Sequence, residues 1–203
     1  MLELSKADMI GKGLHRECFI HPQNPNMCIK VIYDPGGVAE TKREVGYYEH
    51  LQKRLDSWKA IPQYYGTEET NFGTGYIFDL VRDFDGKTSK TLEAYLASEA
   101  LTQSHLAGLS IALPKLKQAL LDDRIITMAI KSKNILYQKR DEHFGDLVIV
   151  DNIGNSTLFP IATYMRLFAE SKIERTWGRF IKSIQKENPA NTVLKKLISD
   201  TGI

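Results

Sequence analysis

Cysteine is scarce in this chain of 203 residues: Cys18 and Cys28 are all it has. Two lone cysteines give neither a disulfide framework nor a C-x-x-C metal spacing, which excludes zinc ribbons and stapled secreted scaffolds. Long apolar runs are missing as well, none approaching the roughly 18 residues that cross a bilayer. The opening M-L-E-L-S-K-A-D-M-I lacks the charged start and apolar stretch of a secretory signal. No charge dominates either. The formal net charge of +2 is too small to argue for nucleic acid or a membrane as partner. The expected location is the cytoplasm. Internal repeats and low-complexity segments are also absent.

What is there suffices for a core. The length allows one domain or two small lobes. Charge is uneven, with eight Lys and Arg against four Asp and Glu from Ile161 onward. That basic tail is either a solvated helix face or a docking surface for an acidic partner.

Residues 2–33 read as a three-stranded antiparallel unit, turning first at Gly11-Lys12-Gly13 and again in P-Q-N-P-N between His21 and Met27. M-C-I-K-V-I-Y, residues 27–33, is the clearest strand. Alternation puts Cys28, Lys30 and Ile32 on one face and Met27, Ile29, Val31 and Tyr33 on the other. A lysine on such a strand is costly to bury without a negative partner. A helix from about Ala39 to Leu55, with Val45, Tyr48, Leu51 and Leu55 at helical spacing, offers Glu40 and Glu44 one turn apart. Glu44 is the favoured partner of Lys30. Strands at 63–68 and 75–81 follow, then a polar connector, R-D-F-D-G-K-T-S-K. Thr91 is placed to cap the next helix. A leucine-striped helix over 105–121 contains Pro114, which predicts a kink or a restart. After Gly154 the remainder reads as helical, with buried faces from Tyr164, Leu167 and Phe168 and from Ile173, Trp177, Phe180, Ile181 and Ile184.

The organising stretch is Arg124 to Gly154. It reads as a strand, a polar loop ending in Asn134, a short strand from Ile135, a turn, and an apolar strand stopping at Asp151. A loop Asn and an Asp after a neighbouring strand supply hard oxygen ligands that suit Mg²⁺.

That spacing resembles the protein-kinase catalytic loop followed by its metal-binding segment. The order G-x-G, I-K, acidic helix, x-x-N and D-x-x-G extends the resemblance over residues 1–154. More specifically, I-G-K-G-x-H-R-x-C-F-x-H-P, C-I-K-V-I-Y, G-T-G-Y-I-F-D, D-F-D-G-K and V-D-N-I-G-x-S-T-L are similar to the YrbL family of PhoP-regulatory-network proteins across almost the whole chain. The kinase resemblance implies an α+β, two-lobed fold. It has a small antiparallel β-lobe with one helix over 1–82 and a shortened, mainly helical lobe over 83–203.

The resemblance also implies roles. Gly11 and Gly13 match the first two glycines of a phosphate-covering loop, and Arg16 stands at the third. Lys30 matches the lysine that holds the α- and β-phosphates, with Glu44 as its helix partner. Cys18 and Cys28 would roof the adenine. Asn134 and Asp151 match the two magnesium ligands, and Lys131 the catalytic-loop lysine. One amine and two oxygen-bearing side chains would thus surround a shared triphosphate. The departures are as informative: Thr127-Met128-Ala129 replaces H-R-D, so the catalytic base is missing, and Asn152-Ile153 adds a residue before Gly154. No A-P-E segment follows, so the helices that dock a protein substrate in kinases are mostly absent or replaced. The expectation is therefore a pseudokinase that binds ATP and Mg²⁺ and acts on a protein partner. The alternatives are an atypical phosphotransferase or AMP-transferase, or a nucleotide-free interaction module.

Overall fold

Asn24–Ile32 (β3) is the central strand of a five-stranded antiparallel sheet in the computed structural model, which describes residues 1–154 and 166–202. Arg16–His21 (β2) pairs on one side and Gly73–Asp79 (β5) on the other, with Met9–Lys12 (β1) and Tyr64–Thr70 (β4) outermost. The period-two alternation sorts the faces as expected. Ile29 and Val31 join Leu2, Leu4, Phe19 and Ile77 in one buried cluster, with Met27 against it. Cys28, Lys30 and Ile32 take the opposite face, beside Ile20, Cys18 and Arg16 of β2 and Phe78 and Tyr76 of β5. Helix α1, Val38–Gln52, closes on that second face. Tyr48 meets Phe78 edge-on at 5.3 Å between ring centroids, and Tyr64 packs beside both. Tyr48 and Leu51 are fully buried, each stabilising by about 1.5–3 kcal/mol.

Two local expectations change. The breaker-rich stretch after His21 contributes only Pro22-Gln23 to the turn, because Asn24, Pro25 and Asn26 already run in β3. Pro25 is tolerated next to the register shift at Ile20/His21, where the ladder needs no donor from it. The buried stripe of α1 shares Tyr48 and Leu51 with the expected one, yet extends backward through Glu44 and Thr41 rather than forward to Leu55. Val45 is only half-buried. Two polar side chains thus occupy core positions at the start of the helix.

The chain forms two compact units, one of Met1–Arg54 with Pro62–Val81 and another of Leu55–Ile61 with Arg82–Ile203. The second unit carries a three-stranded antiparallel ribbon, Lys90–Thr91 (β6), Ile135–Lys139 (β7) and Gly145–Ile149 (β8), in the order β6-β7-β8. Ile149 N–H donates to Ala60 O at 2.9 Å, which ties 55–61 to this unit.

Its helices are α2 (Leu92–Leu96), α3 (Glu99–Ser104), α4 (Leu106–Asp122), α5 (Arg166–Glu187) and α6 (Thr192–Thr201). Thr91 caps α2 as expected, accepting from Ala94 N at 3.3 Å. The leucine stripe of α4 is buried at Leu109, Leu113, Leu116 and Leu120. Pro114 does not restart the helix, which runs through it; the break falls at His105, between α3 and α4. Pro114 and Ser110, whose carbonyl loses its intrahelical donor, are half-exposed, so water can supply the bond. Ile173, Trp177, Phe180, Ile181 and Ile184 are buried. Leu167 and Phe168 are instead 77% and 54% exposed, and Tyr164 lies outside the described residues. At about 100° per residue, positions 167 and 168 fall off the arc that the buried residues occupy. The strand expected from Arg124 reduces to a single bridge, Thr127 to Ile153. Among the described residues no helix is long and apolar enough to cross a membrane.

Candidate functional site

In the first unit the candidate residues gather on the α1 side of the sheet. Lys30 projects from the middle strand and its ammonium stands 4.6 Å from the centre of the Phe78 ring. Glu44 is 1% exposed and pairs with Arg16, so the cation found on the favoured carboxylate is the residue at the third glycine position. The register explains this. Arg16 lies opposite Ile32, at the end of β3 from which the chain leads into α1, whereas Lys30 sits one same-face position back. The second carboxylate oxygen, Oε1, is buried with no hydrogen-bond partner among the described residues, as is the Thr41 hydroxyl one turn earlier. A buried, unsatisfied oxygen is costly, so this carboxylate keeps hydrogen-bonding capacity that the fold itself does not use.

Cys18 and Cys28 share that face. The neighbouring Cys18 thiol, and then burial, push the Cys28 thiol well above its ordinary value, and its Sγ donates to Asp79 O at 3.6 Å. A thiol kept protonated in this way packs as a small hydrophobe and is a poor nucleophile. Asp79 is itself held, accepting from Gln63 N at 2.9 Å and from the Tyr65 hydroxyl at 2.8 Å. Burial, with that bond, pushes Tyr65 up to about 12.

Gly11 lies in β1, opposite Cys18, and Gly13 opens the exposed turn to β2, which is fastened at its far end. Gly13 N donates to Arg16 O at 2.8 Å. The Tyr33 hydroxyl lies 2.6 Å from Leu14 O and 3.0 Å from Gly13 O, sharing its one proton between them. His15 Nδ1 is 2.9 Å from Asp34 Oδ2, and its ring lies on Gly36 and Gly37. A Cβ at Gly37 would come within 2.6 Å of the His15 Cβ, so this close approach requires glycine. The Gly36 N–H, and then His15, hold the Asp34 carboxyl below the usual range.

The second unit places Asn134 and Asp151 at one end of the β7–β8 ribbon. Asn134 ends a 3-10 turn, Ser132–Asn134, and its carbonyl accepts from Val150 N at 2.9 Å, one residue before Asp151. Lys131 precedes that turn and is exposed. Ala129 is half-buried and offers no proton acceptor. The extra residue in D-N-I-G has a clear role: Asn152 adopts a left-handed φ of 63° that its short polar side chain tolerates. Its carbonyl then accepts from Met128 N at 2.8 Å, and Ile153 is fully buried. Of the nearby carboxylates, Asp146 is committed to Lys115 at 2.5 Å and Arg140 at 2.7 Å, and Asp122 accepts from Gln118 at 2.7 Å. Among the described residues no three His, Cys, Asp or Glu side chains cluster as a metal site. One carboxamide and one carboxylate suit a cation that keeps waters and phosphate oxygens as its remaining ligands.

Sequence reasoning missed the Arg16–Glu44 pair, the fastening of the loop, and Asp83. This last residue is buried and accepts from Ser89 Oγ at 2.6 Å and Lys139 N at 3.0 Å. The signals were present as Gly-Gly after Tyr33-Asp34 and as the D-x-D-G turn, but neither names its partner.

These features belong to a known lineage. A family model described as "PhoP regulatory network protein YrbL" matches residues 2–185, and the chain belongs to that family. A protein named "Uncharacterized protein YrbL" from Escherichia coli (strain K12) is 44% identical over 183 residues, 89% of this chain and 87% of its own length. A protein of the same name from Shigella flexneri matches to the same extent.

Proposed function

We propose that this protein is a kinase-like regulatory protein that binds ATP with Mg²⁺ and lacks the base for efficient transfer. The observation that carries the reading is the sheet face of the first unit that bears both Lys30 and Arg16, the latter paired with a buried Glu44 that keeps an unsatisfied oxygen. Two cations on one sheet face suit a polyphosphate. The strand order β1-β2-β3-β5-β4 with α1 after β3, and Asn134 and Asp151 at one end of the paired β7 and β8, support the same reading. When bound, the metal would be held by Asn134 and Asp151 and would neutralise phosphate charge.

General-base help is typically worth about 10²–10⁴-fold, and Ala129 supplies none. Nucleotide therefore acts here mainly as a ligand that sets shape for a protein partner. The test is thermal unfolding with and without ATP and Mg²⁺, where ligand at about 100 times its dissociation constant adds about 2.7 kcal/mol. The stabilisation should vanish in Lys30→Ala and lose its magnesium dependence in Asp151→Ala. No shift with millimolar nucleotide in the parent protein, or the same shift in Lys30→Ala, defeats the reading. A shift that appears only in Arg16→Ala would instead assign Arg16 the role of filling the site.

A further inference from the structure

One side of α5 carries a row of cations that the nucleotide reading does not use. Lys172, Arg175, Arg179, Lys182 and Lys186 follow one another at spacings of three and four, so they fall within about 80° of helix circumference. The row spans about 21 Å along the axis. Arg175, Arg179, Lys182 and Lys186 are exposed and enter no ion pair among the described residues. By contrast, the acids of the same helix have other partners: Glu170 pairs with Arg166, Glu174 with Lys117, and Glu187 accepts from Ser183 Oγ at 2.6 Å. Burial, and then repulsion from Arg175, pulls Lys172 below the usual lysine range. Like charges at this spacing destabilise a helix by about 0.2–0.5 kcal/mol per pair. Five in one row is therefore an arrangement that the fold alone disfavours.

The flank of the row carries Glu174, held by Lys117 at 2.9 Å, and uncharged residues beside it. Ser171, Gly178 and Gln185 recur at intervals of seven along this flank. Gly178 stands mid-helix and exposed, with nothing within 4 Å of where a Cβ would be, so no packing among the described residues requires it. A mid-helix glycine costs about 1 kcal/mol relative to alanine. A glycine there leaves room for another backbone to approach. At the head of the row stands Phe168, 54% exposed and on the same arc.

We propose that this face of α5 is a docking surface for an acidic, amphipathic helix of a partner protein, with carboxylates at three- and four-residue spacing. The geometry favours this partner over two others. A duplex-binding surface belongs to a strongly basic domain, and the net charge here is only +2. A bilayer-binding helix presents an apolar face to lipid, but the apolar face of α5 is already buried through Ile173, Trp177, Phe180, Ile181 and Ile184. One straight row of cations with a notch at Gly178 beside it complements one helix. The inference does not rest on nucleotide binding.

The test uses the full-length chain and a labelled helical peptide of about 20 residues with glutamates at that spacing. An isomer of equal composition has its glutamates scattered round the helix. Fluorescence anisotropy at about 0.05 and 0.15 M salt should show the patterned peptide binding at least roughly tenfold tighter than the scattered one, more so at the lower salt. In R175E/R179E/K182E that preference should disappear. R175Q/R179Q/K182Q/K186Q, which relieves the repulsion along the row, should lose at least about tenfold in affinity while melting no lower than the parent. Equal binding of the two peptides, or unchanged binding by the glutamine variant, overturns the proposal. So does tighter binding of a DNA duplex or of phosphatidylglycerol vesicles than of the patterned peptide.

Discussion

The two units hold their candidate residues by different means. In the first, charge sets positions: Arg16 fixes Glu44, and His15 with Asp34 fastens the loop that carries Gly13. In the second, the backbone does it. Asn134 and Asp151 are placed by the β7–β8 pairing and by the Val150 N–H, which donates to Asn134 O, and the distant helix α6 is locked on by a neutral amide, Asn191. Charged positioning is strong in a buried place and sensitive to losing either partner, whereas ladder positioning tolerates side-chain change. A rigid ribbon suits a metal site, whose ligands must hold their spacing. A charge-held face suits a ligand whose arrival redistributes the ion pairs.

The sharpest way to break that comparison is Glu44→Ala. Removing one member of a buried pair strips Arg16 of this counter-charge and should cost about 3–5 kcal/mol. Hydrogen exchange read by mass spectrometry should show protection lost across β2, β3 and α1 while α4 and α6 keep theirs. If both units lose protection equally, they melt as one and the contrast between them fails.

Asn191→Ala is the mirror experiment in the second unit. The side chain accepts from Leu194 N at 2.9 Å and donates to Leu96 O and Thr102 Oγ1, each at 2.8 Å, from a buried position. Loss of the cap and of two buried acceptors' partner should cost about 2–3 kcal/mol, with little dependence on salt. A cost below about 0.5 kcal/mol would mean that water substitutes for the amide.

Gly37→Ala probes the fastened loop more gently. The added methyl drives into His15, which must give way, and overpacking of this kind costs about 1–3 kcal/mol. Amide exchange at Leu14 and His15 should quicken first; unchanged exchange there would show that the loop is held by Tyr33 alone.

How much of this was legible follows the same division. The alternation in M-C-I-K-V-I-Y was legible because a strand's period of two is local, and it correctly separated Lys30 and Cys28 from Ile29 and Val31. The paired segments around Asn134 and Asp151 were legible for the same reason. The partner of Glu44 was not, because more than one cation at or beside the sheet competes for it and only the β2–β3 register decides. Leu167 and Phe168 misled because apolarity was read without counting the helical angle. The break at His105 rather than Pro114 was hidden too: a proline's missing bond is tolerable where water reaches, and exposure is not written in a local pattern.

The smallest effect is a pH dependence that belongs to the first unit alone. Asp34 is held below the ordinary aspartate value of about 3.9 by the Gly36 N–H and by His15. The unfolded chain therefore takes up this proton more readily than the folded one. The stabilisation from Asp34 is complete above the ordinary range and fades as pH falls through the lower folded value. Asparagine cannot carry that charge. Parent and Asp34→Asn should thus differ most in melting midpoint near neutrality and converge as pH falls through the lowered folded value. Lys12, the cation stacked 4.3 Å from the Tyr33 ring, keeps its charge throughout and leaves the trend intact. A gap that widens on acidification would mean that the loop is held through the protonated carboxyl, and the charge-based account of the first unit would fail at its most exposed point.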